Sequence, residues 1–223
     1  MATTVIAPPA GSVPTGLHAT RLSVILITSL WFVLVVALGA LGAFTTRAGT
    51  PPFPIALGVT VPLVLFFAGL RLSPSFREFV LALDTRLIVA MQAWRWAGLG
   101  FLSLYAHGVL PALFALPAGL GDMAIGVTAP WILLALLQRP GFLTSATFIR
   151  WNLLGILDLA VALSLGTLSA TLSTGTAGEI SSAPMATLPL LLIPAFLVPL
   201  FLMLHITALM QSREARARSS AAR

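Results

Sequence analysis

The sequence predicts an all-α fold, a polytopic membrane helix bundle of six transmembrane helices plus one interfacial amphipathic helix, and three observations carry that prediction. Of the 223 residues, 58% are hydrophobic and only 8% charged, whereas ordinary soluble domains carry about a quarter charged residues. The apolar residues gather into runs that each meet the roughly 20 residues a helical span needs, with room for about six spans and no sizeable soluble domain. Arginine is concentrated in alternate connections between the runs, which is the pattern that orients membrane helices.

The first run, Leu22 to Phe44, follows a 21-residue polar segment. Its end, Gly39-Ala40-Leu41-Gly42-Ala43, imitates a signal cleavage region, but the run exceeds the roughly 7 to 15 residues of a signal core, so a retained span is expected. The turn-rich Thr45 to Phe53, with Pro51-Pro52, leads to the second span, Pro54 to Leu72. An amphipathic stretch follows. Phe76, Phe79, Val80, Leu83 and Leu87 recur at helical spacing, Arg77, Glu78, Asp84 and Thr85 lie elsewhere around the helix, and Ser75-Phe76-Arg77-Glu78 reads as a capping box. An interfacial helix at about 74–86 is expected there.

The third span runs from about Leu87 to His107 and the fourth ends near Leu137, with no charged loop between them. Either the turn lies at His107-Gly108 to Pro111, or Leu110 to Pro117 forms a short interfacial piece and the fourth helix starts near Gly119. Pro111, Pro117, Gly119 and Gly121, read as helix punctuation, favour the second arrangement. A short loop with Arg139-Pro140-Gly141 precedes the fifth span, about Phe148 to Leu168, and the Ser/Thr/Gly-rich Ser169 to Ala183 precedes the sixth, Met185 to Leu209. In that last span Pro189, Pro194 and Pro199 recur every five residues. Each removes a backbone hydrogen bond, so a bent or locally unwound helix is expected.

With six spans, one side of the membrane carries Arg21, Arg71, Arg77, Arg86, Arg139, Arg150 and the tail arginines Arg213, Arg216, Arg218 and Arg223; the other carries Arg47. That bias places both termini in the cytoplasm. The expected organisation is a cytoplasmic tail over 1–21, a membrane domain over 22–209 and a basic cytoplasmic tail over 210–223, in a bacterial inner membrane. The net charge of +6 does not indicate nucleic-acid binding, which needs a water-exposed basic face: the arginines sit singly between apolar runs and cluster only in the tail, a distribution that the orientation of the spans explains better. Cysteine is absent, which rules out disulfides, thiolate catalysis, cysteine-ligated metals and C-x-x-C-H haem attachment.

Charges within a span cost about 2.5 to 3.5 kcal/mol each on the insertion scale and normally face the bundle interior with a partner. Arg95, Asp122 and Asp158 are the three. At ~1.5 Å per residue from the cytoplasmic ends, Arg95 is about 12 Å deep and Asp158 about 15 Å deep, while Asp122 is ~22 Å deep. Two polar layers are therefore expected: an inner one of Arg95 with Asp158, supported by Gln92 and Asn152, and an outer one of Asp122 with His107 and Tyr105. The functional reading of these residues is a proton or substrate path. The structural one is an Arg95–Asp158 lock between helices, with Asp122 as the cap of helix four.

His107 and His205 do not make a haem pair, since their expected heights differ by something like 20 Å. His205 is expected as a hydrogen-bonded residue near a helix end. There is no G-x-x-x-x-G-K-[ST], no H-E-x-x-H and no serine-nucleophile motif, so no cofactor is expected, a metal centre or acid–base pair would have to use the residues already named, and a membrane enzyme ranks third behind the two function classes given below. The five tryptophans, Trp31, Trp94, Trp96, Trp131 and Trp151, read as interface anchors or inter-helix packing.

At these motifs the chain resembles a family of small bacterial multi-pass membrane proteins with no established activity. The matching residues are Arg95-x-x-Gly98, then Gly108-x-Leu110-Pro111-x-x-Phe114-Ala115-x-Pro117-Ala118-Gly119-x-Gly121-Asp122, then Trp151-Asn152-x-x-Gly155-x-x-Asp158, and Pro194-x-x-x-Val198-Pro199 with His205. The resemblance covers about Arg86 to Leu209, outside the first two spans, and implies no catalytic or binding role. Two function classes remain: a small carrier or channel-like protein with the intramembrane charges as its pathway, or a non-transporting accessory subunit whose polar residues bind a partner helix or lock the bundle. The expected partners are the lipid bilayer and either a second copy of the chain or a partner membrane subunit.

Overall fold

The structure is a computed structural model that describes residues 15–221; most of the expected amino-terminal tail lies outside the described residues. What is described is helical with no strand, and six helices are long and apolar enough to cross a membrane. With water absent from a bilayer core, backbone groups must be satisfied within each segment, and helices achieve this.

Helix α1 (Thr15–Ala40) starts before the expected Leu22 and is followed by α2 (Phe53–Leu72) and the short α3 (Pro74–Leu81). The amphipathic stretch is helical over fewer residues than expected. Its N-cap is Ser73, whose hydroxyl accepts from Phe76 N at 3.2 Å with Pro74 in the first turn. The cap is therefore not Ser75, because proline is best tolerated where its missing N–H would be unpaired anyway. Asp84 caps the next helix by accepting from Arg86 N at 2.8 Å.

The third span is α4 (Thr85–Gln92), a 3-10 segment (Ala93–Gly98) and α5 (Leu99–Ala106) in succession. The chain then turns at His107 to Pro111, with Gly108 at φ +69°, and α6 (Ala112–Gln138) begins at once. The expected interfacial piece with a helix start near Gly119 is not what forms. Pro117 lies inside α6, and Gly119 and Gly121 serve packing rather than punctuation, as small residues often do where membrane helices approach closely.

Helix α7 (Ala146–Leu172) is capped by Ser145, which accepts from Phe148 N at 3.1 Å. The sixth span is unwound at its start. A 3-10 turn at Ala183–Ala186 and further turns lead into one π-helical turn, Ile193–Leu197, before α8 (Val198–Ala221). The prolines of this segment supply the interruption that a π turn needs. Helix α8 then runs straight through the expected tail. Gln211 and Ser212 are buried, and Gln211 Nε2 donates to Leu83 O at 2.8 Å while its Oε1 accepts from Thr85 Oγ1 at 2.7 Å. Arg77 pairs with Glu214, and Arg216 Nε donates to Thr144 O at 3.0 Å. These contacts gather α3, the start of α4, the 142–144 turn and the end of α8 at one, arginine-rich end of the bundle. The other end carries the connections 41–52, 107–111 and 173–187.

Candidate functional site: a buried arginine under an open chamber

Arg95 sits in the 3-10 segment of the third span. Trp94 and Trp96 on either side are 67% and 56% exposed while Arg95 is 2% exposed, so the two indoles lie on the bundle surface and the guanidinium lies within it. Five glycines let the helices come close enough around it. A Cβ on Gly98 would meet Asp122 Cβ at 2.6 Å and Gly119 O at 2.8 Å, and one on Gly126 would run into the backbone at Arg95 and Trp96. Likewise a Cβ on Gly121 would occupy the place of the Asp158 carboxylate, and one on Gly155 the place of the His205 ring.

The guanidinium is held by three helices. Its Nε donates to Asp122 Oδ1 at 2.7 Å from α6, and its Nη2 pairs with Asp158 Oδ2 from α7. Its Nη1 faces His205 Nε2 at 3.1 Å from α8 and Gly155 O at 3.4 Å. Because a guanidinium only donates, His205 Nε2 accepts, and the ring proton sits on Nδ1. That proton is donated to Asn152 Oδ1 at 2.9 Å, and Asn152 Nδ2 donates in turn to Phe148 O at 2.9 Å. The Phe201 ring lies 5.9 Å from the guanidinium carbon, and Trp151 meets the His205 ring edge-on at 5.6 Å while donating to Thr128 Oγ1.

The expected residues thus fall into one layer and three that stand apart from it. Arg95 and Asp158 meet, and Asn152 joins them through His205. Asp122 does not belong to an outer layer and does not cap a helix: it lies ten residues into α6, ~15 Å below the turn, which brings it level with Arg95. His107 and Tyr105 stay near that turn. His107 Nδ1 bonds Ser103 O at 2.8 Å, and both side chains are exposed. Gln92 is buried, but both atoms of its amide bond nothing among the described residues.

His205 is the residue that sequence reasoning misplaced. The helix was expected to end four residues later, which put His205 at the membrane interface, but α8 continues to Ala221 and His205 is fully buried. The available signal was spacing: His205, Ala208 and Ser212 recur at i, i+3 and i+7, a helical stripe on one face. Among the described residues, no three of His, Asp or Glu are close enough to share a metal ion.

A chamber of about 480 Å³ lies between this cluster and the end of the bundle opposite the arginine-rich one. Its inner end reaches Asp122. Its walls include Phe101, Phe114, Leu159, Leu163, and Ile193, Pro194 and Val198 from the π turn and the start of α8. Thr45 to Ala48 and Ser173 to Thr187 contribute its mouth, where Arg47 and Glu179 lie. Glu179 accepts from the N–H groups of Thr174 at 2.9 Å and Gly175 at 2.7 Å and from the hydroxyls of Ser173 and Thr174. The Thr174 N–H above all holds its carboxyl below the usual carboxylate range.

A family model described as a domain of unknown function (DUF8737) matches residues 52–213. The match takes in α2 as well as the third to sixth spans, so the second span lies inside the family region, contrary to the narrower extent read from the motifs. No curated protein matches the chain. No solved structure matches it either.

Proposed function

We propose, for a chain that belongs to the DUF8737 family, that this multi-pass membrane protein is a small carrier whose substrate enters the chamber and meets Asp122. One observation carries the reading: the chamber opens at one end of the bundle and ends, within the span region, on a carboxylate already engaged by a buried arginine. Charged residues inside a membrane bundle are costly and characteristically mark pathways. The chamber volume falls within the range of small-molecule sites, roughly 300 to 1,000 Å³.

The wall that can rearrange is the sixth span. Ile193 and Pro194 belong to the π turn and line the chamber, and interrupted helices typically form the midplane substrate sites of carriers. In this reading the arginine-rich end faces the cytoplasm and the chamber opens to the opposite side, following the arginine bias of the connections. The accessory-subunit reading rests on a different observation. Only 6% of the α1 span and 11% of the α2 span is buried within the chain, so both offer long apolar faces to a partner helix as readily as to lipid.

The test is uptake into vesicles containing purified protein, across a panel of radiolabelled cations, anions and neutral solutes, for the wild type and Asp122→Asn. Saturable uptake by the wild type, lost in Asp122→Asn at unchanged thermal stability, is the expected result. No uptake of any panel member by the wild type would favour the accessory subunit.

A further inference from the structure

We infer that the chamber takes an organic cation carrying a single positive charge on an apolar body, an inference that rests on reading the chamber as the substrate site. It follows from a charge count at the chamber floor. Arg95 supplies one positive charge, Asp122 and Asp158 two negative ones. His205 adds none, because its Nε2 accepts from Arg95 and only Nδ1 carries a proton. With both carboxylates ionised the cluster is one positive charge short, in surroundings where an unbalanced charge is costly; a bound cation supplies that charge in place of a proton.

The shortfall is placed where a ligand can reach it. Asp158 is packed against Gly121 and does not line the chamber, whereas Asp122 does. Asp122 uses Oδ1 for Arg95, and its Oδ2 accepts no hydrogen bond from the described residues. At the mouth the charges already balance: Arg47 and Glu179 are one of each sign, and Glu179 is turned to its own loop by the Thr174 and Gly175 N–H groups.

Wall chemistry selects the rest of the ligand. Between floor and mouth the chamber is lined by Phe101, Phe114, Leu159, Leu163, Ile193 and Val198. A bare metal cation seeks six or more oxygen ligands or retained waters, which these walls do not supply. An anion would be repelled by Asp122, and a neutral solute would leave the charge unbalanced. A cation with an apolar body satisfies floor and walls together, and the edge-to-face pair Phe101–Phe114, 5.4 Å between centroids, adds aromatic surface to the wall that favours such a charge.

The probe is ethidium, titrated by fluorescence into the purified full chain in detergent, with tetraphenylphosphonium as competitor and 8-anilinonaphthalene-1-sulfonate as the anionic control. The wild type is expected to bind ethidium saturably at one site, with displacement by tetraphenylphosphonium and none by the anion. Asp122→Asn should weaken binding at least tenfold at an unchanged thermal midpoint. Ala162→Trp, which fills the chamber and leaves Asp122 in place, should weaken it as much, and Glu78→Gln, exposed on α3 and away from the chamber, should bind like the wild type. Absence of saturable ethidium binding, displacement by the anion, or binding indifferent to both Asp122→Asn and Ala162→Trp would overturn the inference. Because binding is read without transport, cation binding with no vesicle uptake would retain the inference and reject the carrier. Uptake of an anion or neutral solute with no cation binding would do the reverse.

Discussion

The close approach of α6 and α7 at Gly121 can be tested by one methyl group. The Cβ of Gly121→Ala would coincide with the Asp158 carboxylate, which cannot swing away freely because it is paired with Arg95. Either the ion pair breaks or the two helices part, and forcing an extra methyl into a packed site costs about 1 to 3 kcal/mol. Gly100 is the internal control: a Cβ there meets nothing within 4 Å. Gly100→Ala removes the helix penalty of glycine, roughly 0.8 to 1 kcal/mol, so it should be neutral or stabilising. Gly121→Ala gains the same helix term, roughly 1 kcal/mol, so its net cost is about 0 to 2 kcal/mol; at about 2 to 4 °C per kcal/mol for a chain of this size, its unfolding midpoint should fall by up to roughly 8 °C and lie below that of Gly100→Ala, which stays at or above wild type. The five tryptophans give the intrinsic fluorescence for the assay in detergent, at one fixed scan rate. Equal midpoints for the two variants would refute the packing on which the site depends.

Other predictions concern the network and the loops. Arg95→Leu strands two carboxylates and should cost about 3 to 5 kcal/mol, read as a loss of folded yield and midpoint; Arg95→Leu with Asp122→Leu and Asp158→Leu should recover much of it. Asn152→Leu leaves His205 Nδ1–H without its acceptor and should cost about 1 to 3 kcal/mol, read as a lower thermal midpoint. Glu179 has a folded pKa lowered from 4.5, so its contribution to the 173–179 loop is fully present above that value and is lost as pH falls through the lower folded one. Hydrogen exchange at Thr174 and Gly175 should therefore stay slow, relative to their intrinsic rates, from neutral pH to about 5 and lose that protection only in stronger acid; Glu179→Gln should abolish the pH dependence. Single cysteines, clean probes in a chain with none, should be labelled by an impermeant maleimide from outside the cell at Thr176→Cys and only after permeabilisation at Ser219→Cys.

Much of the architecture is legible because bilayer physics leaves few options. The six apolar runs become six helices long enough to span, and the five-residue proline spacing becomes a π turn. The errors share one cause, the application of water-soluble rules inside a membrane protein. Pro117, Gly119 and Gly121 look like helix punctuation, yet in α6 a proline is carried by its neighbours and the glycines are contact points for Gly98, Leu102 and Asp158. Counting from the far end of its helix put Asp122 in the outer half; counted from the turn that α5 and α6 share, it lies ten residues into α6 and Arg95 eleven residues before the end of α5, so the two are level. His205 was misplaced for a related reason: polar Gln211 and Ser212 resemble a helix end, whereas both are buried, and Gln211 is bonded to the junction of α3 and α4. Composition alone cannot distinguish a polar residue that leaves the membrane from one that pairs within it. That distinction depends on which neighbour supplies the partner, here Thr85 and the carbonyl of Leu83, some 130 residues away in sequence.

The two aspartates, alike in sequence, should part company when each is neutralised, and the reason lies in what each one faces. Asparagine at either position keeps a side-chain oxygen that can accept from Arg95, so a lock needs no charge at both. Asp158 is the partner of Nη2 in a tight contact beside Gly121 and away from the chamber. In Asp158→Asn the amide must place an N–H where the second carboxylate oxygen was, with a glycine backbone against it, so stability should fall while Asp122 still meets the ligand. Asp122 has room on the chamber side, and its Oδ2 bonds nothing in the described residues. Asp122→Asn can therefore turn its amide into the chamber and keep its oxygen on Arg95 Nε, which should leave the midpoint near that of the wild type while ethidium binding collapses. A purely structural cluster predicts the same fate for both variants, a loss of stability with no separate effect on binding. Thermal midpoints and ethidium titrations of the two proteins side by side decide between these outcomes.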